Sequence, residues 1–357
     1  MSVKSFLVGY NPINSSNIFT SGDYITGKIT LELAKECKIE SLWVKMKGKA
    51  EVQWSENHGK TVVTYHDKMK YFSIKQFIIQ EGQGNNIVDQ GCHVYPFTFQ
   101  IPAEDLPSSF KGSFGKIMYT LEANLSRSMR VDSKAKAQFT LVHSPKLHSD
   151  PVLMSPQHEK TEKKLKLFSS GTLAMDVNIG QTGFHQGEGI KVVASIQNRS
   201  SRDVKPKYHL YKKQSYFAKG KRKLETKDIL KEVGDAIPPS AGQTVTRIIT
   251  IPPSTCVSIL NCSIITVEYR LRVYLDVKYA SDPEIKLPIV ILQGLQEPDE
   301  EHLLAYPPYG AEAYAGSHMP GGPGYPQYPM FTGPSAVPPT SETAMMYPPL
   351  TNFNEKS

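Results

Sequence analysis

Six cations fall within twelve residues of this chain: Lys212, Lys213, Lys219, Lys221, Arg222 and Lys223, interleaved with Tyr211, Tyr216 and Phe217. Such a cluster fits an anionic partner, either acidic lipid or a phosphorylated protein segment. Each base near an anionic leaflet contributes about 1 kcal/mol. The same residues also fit a solvated edge strand, because lysine commonly blunts sheet edges. Nucleic acid is not expected, since no recognition helix or RNA-binding aromatic motif accompanies the charge. Catalytic patterns are missing: there is no Walker-type loop, no His-Glu-x-x-His and no Cys-x-x-Cys. Gly82-Gln83-Gly84 lacks a strand–loop–helix context and reads as a hairpin turn. His143, His148 and His158 are irregularly spaced and read as solvated. Neither an enzyme nor a metal or cofactor site is expected.

A second set of candidate partner-binding residues lies in the final 62 residues, from Gln296, which hold 12 prolines and 6 tyrosines. With few branched aliphatics, this segment cannot bury enough apolar surface to offset its ordering entropy, so disorder is expected. Pro320, Pro323, Pro326 and Pro329 recur every third residue and would share one edge of a polyproline II helix. That spacing suits an SH3-like groove, although the usual flanking base is missing. Asp299 with Leu303 and Leu304 fits the acidic dileucine pattern of clathrin-adaptor ligands. Tyr328 with Phe331, and Tyr347 with Leu350, fit the tyrosine-based one. A low-complexity spacer accounts for the same short patterns.

The elements that must position these residues follow from a repeat. Between Tyr95 and Leu125 the chain holds two strands with a Pro-rich corner between them. A shift of 150 positions lays Ile101-Pro102 on Ile251-Pro252, Ser108 on Ser258, Tyr119 on Tyr269 and Leu125 on Leu275. Apolar residues alternate at Ile117, Tyr119, Leu121, Ala123 and Leu125, and again at Val267, Tyr269, Leu271, Val273 and Leu275. Period two means a strand with one buried face. A second echo, 165 positions apart, relates Gly22-Asp23 with its following strand to Gly187-Glu188. Further alternation runs from Ile39 to Val52 through Leu42, Val44, Met46, Gly48 and Ala50, and Val62–Tyr65 and Tyr71–Ile79 are further strand candidates. Ala103–Phe110 has room for a helical turn. Many short strands with turn signals predict two tandem β-sandwiches, residues 1–143 and 167–295. A Ser-, Pro-, His- and Lys-rich linker is expected over 144–166, and a disordered tail over 296–357.

The formal charge of +7 hides a division. Residues 297–357 carry seven acids and one base, Lys356, for −6, which leaves +13 on the remainder. A basic body again points to anionic partners. Cys37, Cys92, Cys256 and Cys262 are too few and too irregular for a disulfide framework and read as reduced thiols. No apolar run approaches bilayer-spanning length, so membrane association is expected to be peripheral.

The Phe97-x-Phe-x-Ile101-Pro102 strand followed by Ser109-Phe110-x-Gly112-x-x-Gly115-x-Ile117-x-Tyr119 resembles the arrestin fold. Gly22-Asp-Tyr-Ile-Thr-Gly27, Gln214-Ser-Tyr-Phe-Ala-Lys-Gly220 and Ser258-Ile-Leu-Asn-Cys262 agree with it. The resemblance covers about residues 5–295. It is to the alpha-arrestins, or arrestin domain-containing proteins, most like the arrestin domain-containing protein 3 group. It implies a cytoplasmic adaptor, peripheral at plasma membrane and endosomes. Such adaptors bind membrane receptors or transporters and bring clathrin-adaptor or endosomal-sorting proteins and HECT-type ubiquitin ligases to them. Alpha-arrestins typically carry Pro-Pro-x-Tyr for WW domains, and here the motif is broken. Tyr306-Pro307-Pro308-Tyr309 places tyrosine one position early, and Pro348-Pro349-Leu350-Thr351 ends on threonine. Pro334-Ser-Ala-Val337 likewise departs from Pro-Ser-Ala-Pro. The family also includes a thioredoxin-binding member that uses a cysteine in the stretch matching Cys262, so a redox regulator is an alternative. A buried structural role for Cys262 is the reading its strand-like surroundings favour. A retromer-like structural subunit is a third reading.

Overall fold

The computed structural model describes residues 2–80, 82, 86–145, 147–165, 171–277 and 281–294. Its first half contains β1 (Val3–Tyr10), β2 (Ile18–Phe19), β3 (Tyr24–Leu33), β4 (Cys37–Lys38), β5 (Ser41–His58) and β6 (Thr61–Ile79). These are followed by β7 (Ile87–Val88), β8 (Gly91–Gln100), β9 (Phe110–Lys111), β10 (Gly115–Ser126) and β11 (Ser133–Leu141). A single helical turn, α1 (Pro151–Met154), leads to β12 (Gln157–Leu165), β13 (Gly171–Ile179), β14 (Gly183–His185) and β15 (Gly189–Ser200). The last strands are β16 (Lys205–Ala218), β17 (Lys221–Val233), β18 (Ala241–Thr250), β19 (Ile265–Asp276) and β20 (Glu284–Leu292). Sheet β1-β3-β8 packs on β2-β11-β10-β5-β6 in the first sandwich, and β12-β13-β15-β18 on β14-β20-β19-β16-β17 in the second.

Burial follows the alternation in the sequence. Leu42, Val44, Met46, Ala50 and Val52 of β5 are all fully buried, Gly48 shares their inner face, and Trp43, Lys45, Lys47, Lys49 and Glu51 point outward. The two halves repeat each other in hydrogen bonding as well as in sequence. Gly22 and Gly187 sit at φ of 90° and 83°, in the left-handed region that glycine enters without a Cβ penalty. Their amides donate to the carbonyls of Ile101 and Ile251, each at 3.1 Å. Asp23 accepts from the Thr20 amide, and Glu188 from the His185 amide, both at 2.7 Å. β2 then pairs parallel with β11, and β14 with β20, so the same local device closes each sandwich.

Three expectations differ from the structure. The predicted linker over 144–166 contains α1 and the nine-residue strand β12, paired along its length with β13. β12 is an edge strand of mostly charged, exposed residues, so no apolar alternation announces it. The two candidates at 62–65 and 71–79 are one continuous strand, β6, because pairing with β5 carries it across the polar stretch between them. Ala103–Phe110 forms no helical turn: its backbone bends from β8 into β9, and Leu106 is buried there.

Candidate anion-docking surfaces

The clustered cations lie on the β16–β17 hairpin. Lys219 and Gly220 form its two-residue turn, both left-handed at φ of 50° and 70°, a geometry that matches the twist of a tight hairpin. This tip meets the first sandwich. Lys219 Nζ donates to the Thr64 carbonyl at 3.1 Å, and Lys223 Nζ pairs with Glu56 at 3.2 Å. Tyr216 packs edge-on against Phe114 with ring centroids 5.6 Å apart. Burial, with Glu225 beside it, pushes the Tyr216 hydroxyl up to about 12. Arg222 donates to Ser215 Oγ at 2.7 and 3.0 Å, and Lys212 Nζ lies 3.6 Å from Cys256 Sγ. Lys213 and Lys221 have no carboxylate partner among the described residues. Two of the six cations therefore serve as ties between the sandwiches.

A larger basic surface comes from strands that are far apart in sequence. On the outer face of the β2-β11-β10-β5-β6 sheet, β5 presents Lys45, Lys47 and Lys49, and β6 presents Lys68, Lys70 and Lys75. β10 adds Lys116, and β11 adds Lys134 and Lys136. Only Glu51 and Glu122 oppose them within the sheet, with Asp132 at its margin. Glu51 is held below the usual carboxylate range by its hydrogen bond from Lys49, against the effect of burial. At Glu122 burial pushes the carboxyl upward, but Lys47 and Lys136 outweigh it and the net direction is down. Lys45, Lys70, Lys75, Lys116 and Lys134 have no ion-pair partner among the described residues. The five-stranded sheet of the second sandwich is different. There Lys207 pairs with Asp276, His209 and Lys231 with Asp228, and Arg272 and Lys286 with Glu284.

Cys262 is buried, with 3% of its surface exposed, three residues before β19. It lies beside the Tyr71 hydroxyl at the junction of the two sandwiches, and burial with this thiol nearby raises that hydroxyl above its ordinary range. His143 faces Asp105 at 3.3 Å and His158 faces Asp176 at 2.6 Å. Among the described residues no group of three or more His, Cys, Asp or Glu is arranged to hold a metal. No helix among them is long and apolar enough to cross a membrane. All candidate partner-binding residues of the tail, from Asp299 to Leu350, lie outside the described residues.

Residues 6–148 match the family described as arrestin (or S-antigen), N-terminal domain, and residues 169–294 match arrestin (or S-antigen), C-terminal domain. Arrestin domain-containing protein 4 of Mus musculus is 31% identical over 290 residues, 78% of this chain and 69% of that protein. This chain belongs to the alpha-arrestin family. The Homo sapiens arrestin domain-containing protein 4 is 30% identical over 286 residues, 76% of the alpha-arrestin described here and 68% of its relative. Thioredoxin-interacting protein of Rattus norvegicus is 28% identical over 302 residues, 81% and 74% of the two chains.

The basic sheet face of this alpha-arrestin is absent from the sequence reading, which followed local charge density. Its signal was present in Trp43-Val-Lys45-Met-Lys47-Gly-Lys49, where lysine alternates with core residues and so must line one outward face.

Proposed function

We propose that this alpha-arrestin is a non-enzymatic adaptor in protein transport. The single observation that carries the reading is the family match over both sandwiches, 6–148 and 169–294. Within the family, its motifs fit the arrestin domain-containing protein 3 group. The body engages cytoplasmic parts of membrane receptors or transporters, and Lys213, Lys221 and Arg222 supply cationic contacts to an anionic partner at the hairpin. The tail residues around Asp299, Leu303, Leu304, Tyr328 and Tyr347 recruit clathrin-adaptor or endosomal-sorting proteins, and HECT-type ligases bind weakly through the altered proline motifs. The protein then works in the cytoplasm, at plasma membrane and endosomes. Affinity capture from lysate with the full chain and with a chain ending at residue 295 tests this. Sorting factors lost with the tail support the adaptor reading; sorting factors retained without it, or a stable multisubunit coat, count against it.

A second reading, a redox regulator, draws on the thioredoxin-interacting relatives. Thiol exchange needs an accessible thiolate, and the burial of Cys262 weighs against it. Thioredoxin captured by the parent and lost with Cys262→Ser would reverse that preference.

A further inference from the structure

The outer face of the β2-β11-β10-β5-β6 sheet carries a charge arrangement that folding alone does not favour. Lys45 stands directly opposite Lys75, and Lys49 opposite Lys70, across the β5–β6 pair. Like charges directly opposed on one sheet face destabilise it. Lys45 and Lys75 both lie over the Trp43 ring, 4.7 and 4.4 Å from its centre, and Lys75 is also 4.3 Å from the Phe77 ring. Trp43 and Phe77 are themselves opposed, and Phe77 is 46% exposed. We propose that this face docks on an anionic lipid bilayer, with the Trp43–Phe77 end at the headgroup boundary.

The spread of the charge favours a bilayer over a single phosphorylated side chain. Strands about 4.8 Å apart, rising about 3.4 Å per residue, distribute these lysines over a face on the order of 30 by 15 Å. Several headgroups fit that area, whereas one phosphate would be held by two or three lysines. An indole and a phenyl ring at one end of a basic surface suit the interface, where amphipathic rings and cations gather. The corresponding face of the second sandwich carries four carboxylates, Asp228, Glu268, Asp276 and Glu284, against two here, and most of its central bases are paired with them. The inference stands apart from the tail: vesicle binding and capture of sorting factors can each fail alone.

The test is co-sedimentation of the full chain with phosphatidylcholine vesicles, with and without phosphatidylserine, at about 0.1 M salt, where charge acts over roughly 10 Å. A face variant carries Lys45→Gln, Lys70→Gln, Lys75→Gln and Lys134→Gln. A hairpin variant carries Lys205→Gln, Lys213→Gln, Lys221→Gln and Arg222→Gln, an equal charge change. The face variant should lose roughly a thousandfold in affinity for phosphatidylserine vesicles, and the hairpin variant far less. The face variant should melt no lower than the parent, because it relieves opposed lysines. Trp43 supplies an internal reporter: Trp54→Phe removes the other of the 2 tryptophans, and emission should shift to the blue on phosphatidylserine vesicles. No binding by the parent, equal losses in both variants, or an unshifted Trp43 would each overturn the proposal. So would a phosphorylated peptide that needs the same lysines while vesicles do not bind.

Discussion

Tyr119 donates its buried hydroxyl to the Pro107 carbonyl at 2.6 Å, bracing β10 against the corner that follows β8. Tyr269, 150 residues later, donates to the Cys256 carbonyl at 2.5 Å. Ser108 and Ser258 repeat the pattern as acceptors, taking the amides of His143 and Ile291, both at 2.9 Å. The corner is thus the same hydrogen-bonded unit built twice.

Removing either hydroxyl leaves a carbonyl without its donor in a dry setting, at a cost of about 1–3 kcal/mol. Tyr119→Phe and Tyr269→Phe should each lower stability by that amount in denaturant titration. Loss below about 0.5 kcal/mol at both sites would mean that water replaces the tyrosine.

Gly48 lies under the Tyr119 and Phe72 rings, which stack 5.9 Å apart. A Cβ there would stand 2.7 Å from Tyr119 and 2.8 Å from Phe72. Both rings are packed in the core, so Gly48→Ala should destabilise by about 1–3 kcal/mol through overpacking. Thermal melts decide this, and an unchanged midpoint would show that the rings can shift.

The Lys223–Glu56 pair is about one-third exposed at both ends, 35% and 35%, so solvent screens it. A double-mutant cycle with Lys223→Ala and Glu56→Ala should give a coupling of about 0.2–1 kcal/mol, fading in 1 M salt. Coupling several times larger, or insensitive to salt, would mark the pair as the main lock between the sandwiches.

Glu51 and Glu122 have lowered folded-state pKa values, so each stabilises the fold at pH above the ordinary glutamate value, about 4.3. That contribution disappears as pH falls through the lowered values. A Glu51→Gln, Glu122→Gln protein should be less stable than the parent at neutral pH. The difference should close progressively below roughly pH 4. Melting curves across that range test the sign, and a gap that widens in acid would refute it.

In the tail, the register of the proline motifs sets WW recognition, because a tyrosine moved by one position turns about 120° around a polyproline helix. Tail peptides should bind isolated WW domains with an affinity on the order of 100 μM or weaker, about −5.5 kcal/mol. Thr351→Tyr restores Pro-Pro-x-Tyr at 348–351 and should tighten binding at least about tenfold. Low-micromolar binding by the parent peptide would return ligase recruitment to the leading role.

Sequence alone determined the tandem sandwiches, because alternation in β5, β10 and β19 and the turn at Gly22 and Gly187 are local properties, each visible within a dozen residues. It also identified the hairpin cations, which are neighbours along the chain. The strand β12 stayed hidden because an edge strand needs only one partner and little apolar burial. Only the tertiary structure decided which charges act together. Lys45, Lys75 and Lys134 meet on one face through the registers of four strands, while Lys219 and Lys223 are drawn into contacts with Thr64 and Glu56. Pairing register converts a side chain's parity along its strand into a neighbour, and that register is set by the packing of the whole sandwich rather than by the residues on either side.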